Sequence, residues 1–198
     1  QWRFRRYLSA IAASLVGSRV FKFMKIVILG AGVTGSSVAG ALASENDIVV
    51  IDKRQNLLEA LRERFDIHTV MGNAAYPNVL EQAGVSDADI VIAVTDRDET
   101  NMLACQVVNT LYRKPKTIAR VRSVDFLTHP QLFEQGGIPI DIVISPEQAV
   151  MKAIHNLIRF PGVLHLSEFA DGLVRLFSIK TVSEAFLTGK KIQTVKET

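Results

Sequence analysis

The chain has a single cysteine, Cys105, among 198 residues. One thiol excludes an internal disulfide framework and suits a reducing cytosol. There are four histidines, no H-E-x-x-H and no C-x-x-C, so the sequence carries no zinc-type ligand set. No apolar run approaches the ~20 residues needed to cross a bilayer. Residues 1–23 contain no acid at all. That last absence explains the charge. Arg3, Arg5, Arg6, Arg19 and Lys22 lie in this stretch, so the remaining 18 basic residues face all 20 acidic ones, a balance of −2. The overall +3 therefore belongs to the N-terminal stretch, and nucleic-acid binding by the rest loses its electrostatic support.

What remains is 48% hydrophobic and 22% charged, a globular composition. Residues 1–23 are expected to be an extension outside the domain, with Met24 as the natural start. Phe4, Leu8, Ile11 and Leu15 do share one helical face, so a targeting or membrane-surface segment is the competing reading.

Lys25 to Asp52 organises the rest. An apolar run, Ile26 to Leu29, leads into Gly30, Gly32 and Gly35 at G-x-G-x-x-G spacing. A run of small residues follows, then a second apolar run, Ile48 to Ile51, ending in Asp52. Strand, glycine turn, helix and a later acid are together the context of a dinucleotide-binding βαβ unit. Gly30 allows the tight turn, Gly32 lets a pyrophosphate approach the backbone, and Gly35 lets helix and strand pack closely. The helix N-terminus then faces the phosphates. Asp52 can accept from ribose hydroxyls, which favours NAD(H) over a 2′-phosphorylated cofactor. Lys53 and Arg54 could meet a 2′-phosphate, but Asp52 would repel it. The two cations therefore read as a solvated start to the next helix.

From Met24 the chain alternates. Strands are predicted at 25–29, 48–51, 67–71, 89–94, 117–121 and 141–144. Helices are predicted at 33–44, 55–65, 77–84, 99–112, 124–135 and 147–159. Such alternation implies an α/β, Rossmann-like doubly wound parallel sheet. The ligand is then expected at the carboxyl ends of the strands. Gly72 and Asn73 follow strand three; Thr95 and Asp96 follow strand four. Arg120, at strand five, could pair with a phosphate or a carboxylate. Asp98, Glu99 and Thr100 suit helix-start roles. After Gly162, VLHLSEFA and LVRLFSIKTV read as two strands about a turn at Asp171–Gly172.

Several stretches together are more discriminating than the glycines: MKIVILGAG, GNAAYPNVLEQAG, DADIVIAVTDRDETNMLACQV, IARVRS and ISPEQ. Through them residues 24–160 resemble the KTN (RCK-type) family of regulatory subunits of the Trk potassium-uptake system. The resemblance implies a nucleotide-binding KTN domain over 24–145 and a crossover helix over 146–161. Residues 162–198 would be the truncated start of an α+β C-terminal (RCK-C) domain. It implies a phosphate loop of Gly30, Ala31, Gly32, Val33 and Thr34, with Asp52 on the adenosine ribose. Asn73, Thr95, Asp96 and Arg120 would complete the site. Val33–Thr34 departs from relatives that have a polar residue and then valine, a swap that backbone contacts survive.

The implied ligand is NAD(H), with ATP or ADP at the same site. The implied setting is cytoplasmic, on the inner face of the cell membrane against a potassium-translocating subunit, with no enzymatic activity. A homo-oligomer, dimer or tetramer, would form through the crossover helix, whose Val150, Ile154, Leu157 and Ile158 make one apolar stripe. That stripe could equally pack on its own sheet. A regulatory domain of a potassium channel or efflux system shares this fold. An NAD-dependent oxidoreductase fragment is the alternative of another class. Against it, His68, His129, His155 and His165 do not fall at strand carboxyl ends, and Cys105 sits in a helical run as a small core residue.

Overall fold

The computed structural model describes residues 23–134, 136–160, 162–169 and 173–179. The N-terminal stretch to residue 22, the turn at Asp171–Gly172 and residues 180–198 lie outside the described residues. The chain divides into two compact units, with the boundary between Ser145 and Pro146.

In the first unit six parallel strands run in the order β3-β2-β1-β4-β5-β6. They are β1 Lys25–Leu29, β2 Asp47–Asp52, β3 His68–Met71, β4 Ile90–Ala93, β5 Lys116–Arg120 and β6 Ile142–Ile144. Successive side chains of β1 enter different cores. Val27 and Leu29 join Val79, Leu80, Met102, Cys105 and Val108 on one face. Ile26 and Ile28 join Ala39, Leu58 and Leu61 on the other. A parallel sheet covered on both faces needs apolar residues at every position, which is why Ile26 to Leu29 reads as an unbroken run.

The helices are α1 Val33–Leu42, α2 Gln55–Arg64, α3 Pro77–Gln82, α4 Asp98–Leu111 and α5 Val124–Leu127. The expected helix over 124–135 is cut short. Ser123 caps α5 through its hydroxyl, and a 3-10 turn follows at Pro130–Leu132. Pro130 has no N–H to continue the helix and disfavours helical backbone at His129. The order reverses between β1 and β4, so their carboxyl ends open a crevice.

The second unit holds α6 Pro146–Arg159 and an antiparallel pair, β7 Val163–Phe169 with β8 Val174–Ile179. On α6, Val150, Met151, Ile154, Leu157 and Ile158 are exposed.

Candidate functional site

A cleft of about 490 Å³ opens at the carboxyl ends of β1 and β4. Its first rim comes from the glycine loop and the end of β2. Gly30 has φ +109°, and a Cβ there would meet Thr95 Cα at 2.9 Å. A Cβ on Gly35 would land on the Gly30 carbonyl oxygen. The turn is therefore closed to larger residues at both positions. Gly32 is open by contrast, with only Arg54 Nη2 within 3.9 Å of a Cβ built on it. It stands at the N-cap of α1 without a side chain, so the first-turn N–H groups, which have no intrahelical partners, face the cleft.

Asp52 ends β2 in the cleft, buried except for 8% of its surface. Its Oδ2 accepts from the Ala31 N–H at 2.7 Å, and its Oδ1 from the Arg54 N–H at 2.9 Å. The Arg54 guanidinium adds two bonds, Nε to Oδ1 at 3.0 Å and Nη2 to Oδ2 at 3.2 Å. Burial alone would raise the Asp52 pKa. The hydrogen bonds from Arg54 and Ala31 outweigh it and hold the carboxyl below its ordinary range.

The second rim is built on one buried amide. Asn101 of α4 is fully buried. Its Oδ1 accepts from the Thr95 N–H (2.9 Å) and hydroxyl (2.7 Å), while Nδ2 donates to the Arg120 carbonyl (2.9 Å). The ends of β4 and β5 are thereby tied together. Arg120 then reaches across the crevice. Nη1 donates to Thr34 Oγ1 at 3.0 Å and Nη2 to the Thr95 carbonyl at 2.7 Å. Its buried Nε has no hydrogen-bond partner among the described residues. Below this rim the buried Asp98 carboxylate accepts from the N–H groups of Arg122 and Ser123, both at 2.8 Å. Arg122 in turn donates to the Asp96 carbonyl.

Of the expected site residues, the cleft brings together Gly30, Gly32, Val33, Thr34, Asp52, Thr95, Asp96 and Arg120. Three do not line it. Ala31 is buried and spends its N–H on Asp52. Gly35 lies beneath the loop against Gly30. Asn73 turns its Oδ1 onto the Ala75 N–H to shape its own turn, leaving Gly72 and Ala74 at the lining. Among protein groups Arg120 bonds a hydroxyl and a carbonyl and not a carboxylate.

Arg54 is the exposed N-cap residue of α2, as expected of a solvated helix start, but its guanidinium also lies on Asp52. Arg97 and Thr100 line the cleft as well. Lys53, Arg54, Arg97 and Arg120 there outnumber Asp52 and Asp96, so the cleft suits an anion. Asn101 and Asp98 hold the second rim from behind. Their signal in the sequence is only that polar residues occupy the inner face of an apolar helix. Cys105 is a core residue, its thiol pushed up to about 12 by burial. Among the described residues no cluster of histidine, cysteine or acid could hold a metal, and no helix is long and apolar enough to cross a membrane.

Residues 26–146 match the family model of the TrkA-N domain. Over 170 residues the chain is 50% identical to the Trk system potassium uptake protein TrkA of Halomonas elongata, covering 85% of this chain and 37% of that protein. The chain thus spans well under half the length of this curated relative. Among solved structures, the TrkA-N domain of inner membrane protein ybaL from Escherichia coli superposes with a TM-score of 0.60 at 21% identity, over 69% of this chain and 97% of that one. The GsuK channel bound to NAD gives a TM-score of 0.57 at 22% identity, over 76% of this chain and 26% of that one. At such identities the likeness is one of fold.

Proposed function

The chain belongs to the TrkA-N domain family, and on that basis we propose that its cleft binds NAD(H), or ATP or ADP at the same site, to regulate a membrane potassium-uptake transporter. The observation that carries this is the pairing, on one rim of the switch-point crevice, of the open α1 N-terminus with the buried Asp52 carboxylate. The first matches a pyrophosphate and the second a ribose. The relative named TrkA in potassium uptake supports the transporter. The NAD carried by the GsuK channel supports the ligand.

On this reading residues 24–145 are the nucleotide-binding domain, and 146–161 a crossover helix whose exposed apolar stripe joins a dimer or tetramer. Residues 162–198 open a C-terminal domain. The break after Ser145 favours that division. The subunit works from the cytoplasmic face of the membrane, beside the potassium-translocating subunit. A nucleotide shifts such an assembly by binding one of its arrangements more tightly, with about 1–3 kcal/mol of coupling. We read the protein as a switch and not an enzyme. The lining of the cleft has no histidine, cysteine or tyrosine to move a proton beside a nicotinamide.

Calorimetric titration with NADH, NAD, ATP and ADP tests the site. A Cβ at Gly32 meets only a flexible guanidinium, so Gly32→Val is expected to fold and yet obstruct the phosphate loop. Saturable binding weakened by Gly32→Val is the expected result. Absence of binding by all four ligands would remove the regulatory reading.

A further inference from the structure

Thr34 stands in the first turn of α1 and lines the cleft. Its Oγ1 accepts from Arg120 Nη1 at 3.0 Å, and Arg120 Nη2 donates to the Thr95 carbonyl at 2.7 Å. A guanidinium anchored once can swing. Anchored from two elements, α1 and the end of β4, its plane is set. That plane lies beside the α1 N-terminus, whose unpartnered N–H groups favour an anion. The charge held there is not neutralised. Of the lining arginines, Arg54 pairs with Asp52 and Arg97 with Glu99, while among the described residues no carboxylate lies within ion-pair distance of Arg120. Its buried Nε also lacks an acceptor. A neutral hydroxyl suits this anchoring better than a carboxylate would, because it orients the arginine without cancelling its charge and without repelling a phosphate.

We propose that Thr34 is a positioning residue of the phosphate subsite: acting through Arg120, its hydroxyl sets the guanidinium against the diphosphate of the nucleotide. The proposal rests on the nucleotide reading above and deepens it, because it gives the diphosphate a partner on the second rim as well as on the glycine loop. From the sequence, residue 34 had only its backbone to contribute. The fold adds the side chain. Threonine places an acceptor where valine, of nearly the same shape, has a methyl group, and a guanidinium finds no partner on a methyl.

Calorimetric titration of the whole chain with NADH and with ADP, which share a diphosphate, tests the idea. Each variant is read on the ligand or ligands that wild type binds. Thr34→Val keeps the shape and removes the acceptor, and affinity should fall roughly fivefold, the scale of one hydrogen bond. Thr34→Ser restores the hydroxyl and should return affinity to within about twofold of wild type. Arg120→Ala removes the charge and should weaken binding about thirtyfold, the scale of a charge-assisted contact. Adding Thr34→Val to Arg120→Ala should then cost less than about twofold, because the hydroxyl has nothing left to position. Matching thermal melts of Thr34→Val and Thr34→Ser keep folding apart from recognition. Full affinity in Thr34→Val, a Thr34→Ser as weak as Thr34→Val, or losses that add in the double variant would overturn this proposal alone. Wild type that binds neither ligand would overturn the nucleotide reading on which it rests.

Discussion

The two rims of the cleft each present an arginine, and they hold it in opposite ways. Arg120 is fixed by uncharged partners, a threonine hydroxyl and a backbone carbonyl, with its own carbonyl bound by a buried amide. Arg54 lies over the buried Asp52 carboxylate from the solvent side, and half of its side chain faces water. A bond backed by a buried network is costly to lose. A surface ion pair contributes about 0–1 kcal/mol and can be exchanged for another anion. The contrast teaches that the second rim is the frame of the site and the first rim its adjustable side.

Breaking the frame should have the largest effect on the fold. Asn101→Ala strands the Thr95 N–H and the Arg120 carbonyl, both part-buried, at a cost of roughly 2 kcal/mol. Chemical denaturation should show this as a lower midpoint with unchanged slope. An unchanged midpoint would mean that the second rim is no frame.

On the adjustable rim Asp52→Ala should cost no more in the fold and more in the ligand. It removes the caps on the Ala31 and Arg54 N–H groups, about 1 kcal/mol for each by the usual worth of a hydrogen bond. Nucleotide affinity should fall about tenfold by calorimetry, and unchanged affinity would place the ribose elsewhere.

The smallest effect is in acid, and it sharpens the contrast. Asp52 has a lowered folded pKa, so its contribution is fully present above the unfolded value of about 3.9. It is lost as pH falls through the folded pKa, below that value. The gap in melting temperature between wild type and Asp52→Asn should therefore hold from neutral pH to about 4 and close only under stronger acid. In an Arg54→Ala background burial is less opposed, and the gap should close at higher pH. An unmoved closure would show that Arg54 does not govern the acid.

Most of the sheet was legible because its signals are local. Apolar runs such as Ile48 to Ile51 and turn residues between them mark parallel strands wherever they lie. Asp52 was legible for the same reason, being the end of such a run. Arg54 was legible as an exposed helix start but not as the partner of Asp52, because a cation two residues after an acid normally points to water. Here the chain turns at Lys53, and both the N–H and the side chain of Arg54 fold back onto Asp52. Asn101 carried only a faint message, a polar residue on the inner face of its helix. Its role depends on a carbonyl 19 residues away and on a neighbouring strand end, and nothing in DETNMLACQV specifies either.

The Arg120–Thr34 bond joins residues 86 positions apart. Each half of the sheet can begin to form from nearby sequence, but β1 meets β4 only through such distant pairings, which form slowly. The cleft exists only once the two halves have met. Its ligand would have nothing to grip on a half-formed chain. A bound nucleotide should accordingly slow amide hydrogen exchange across both halves together, by protecting against the seam coming apart, and not only in the loops it touches.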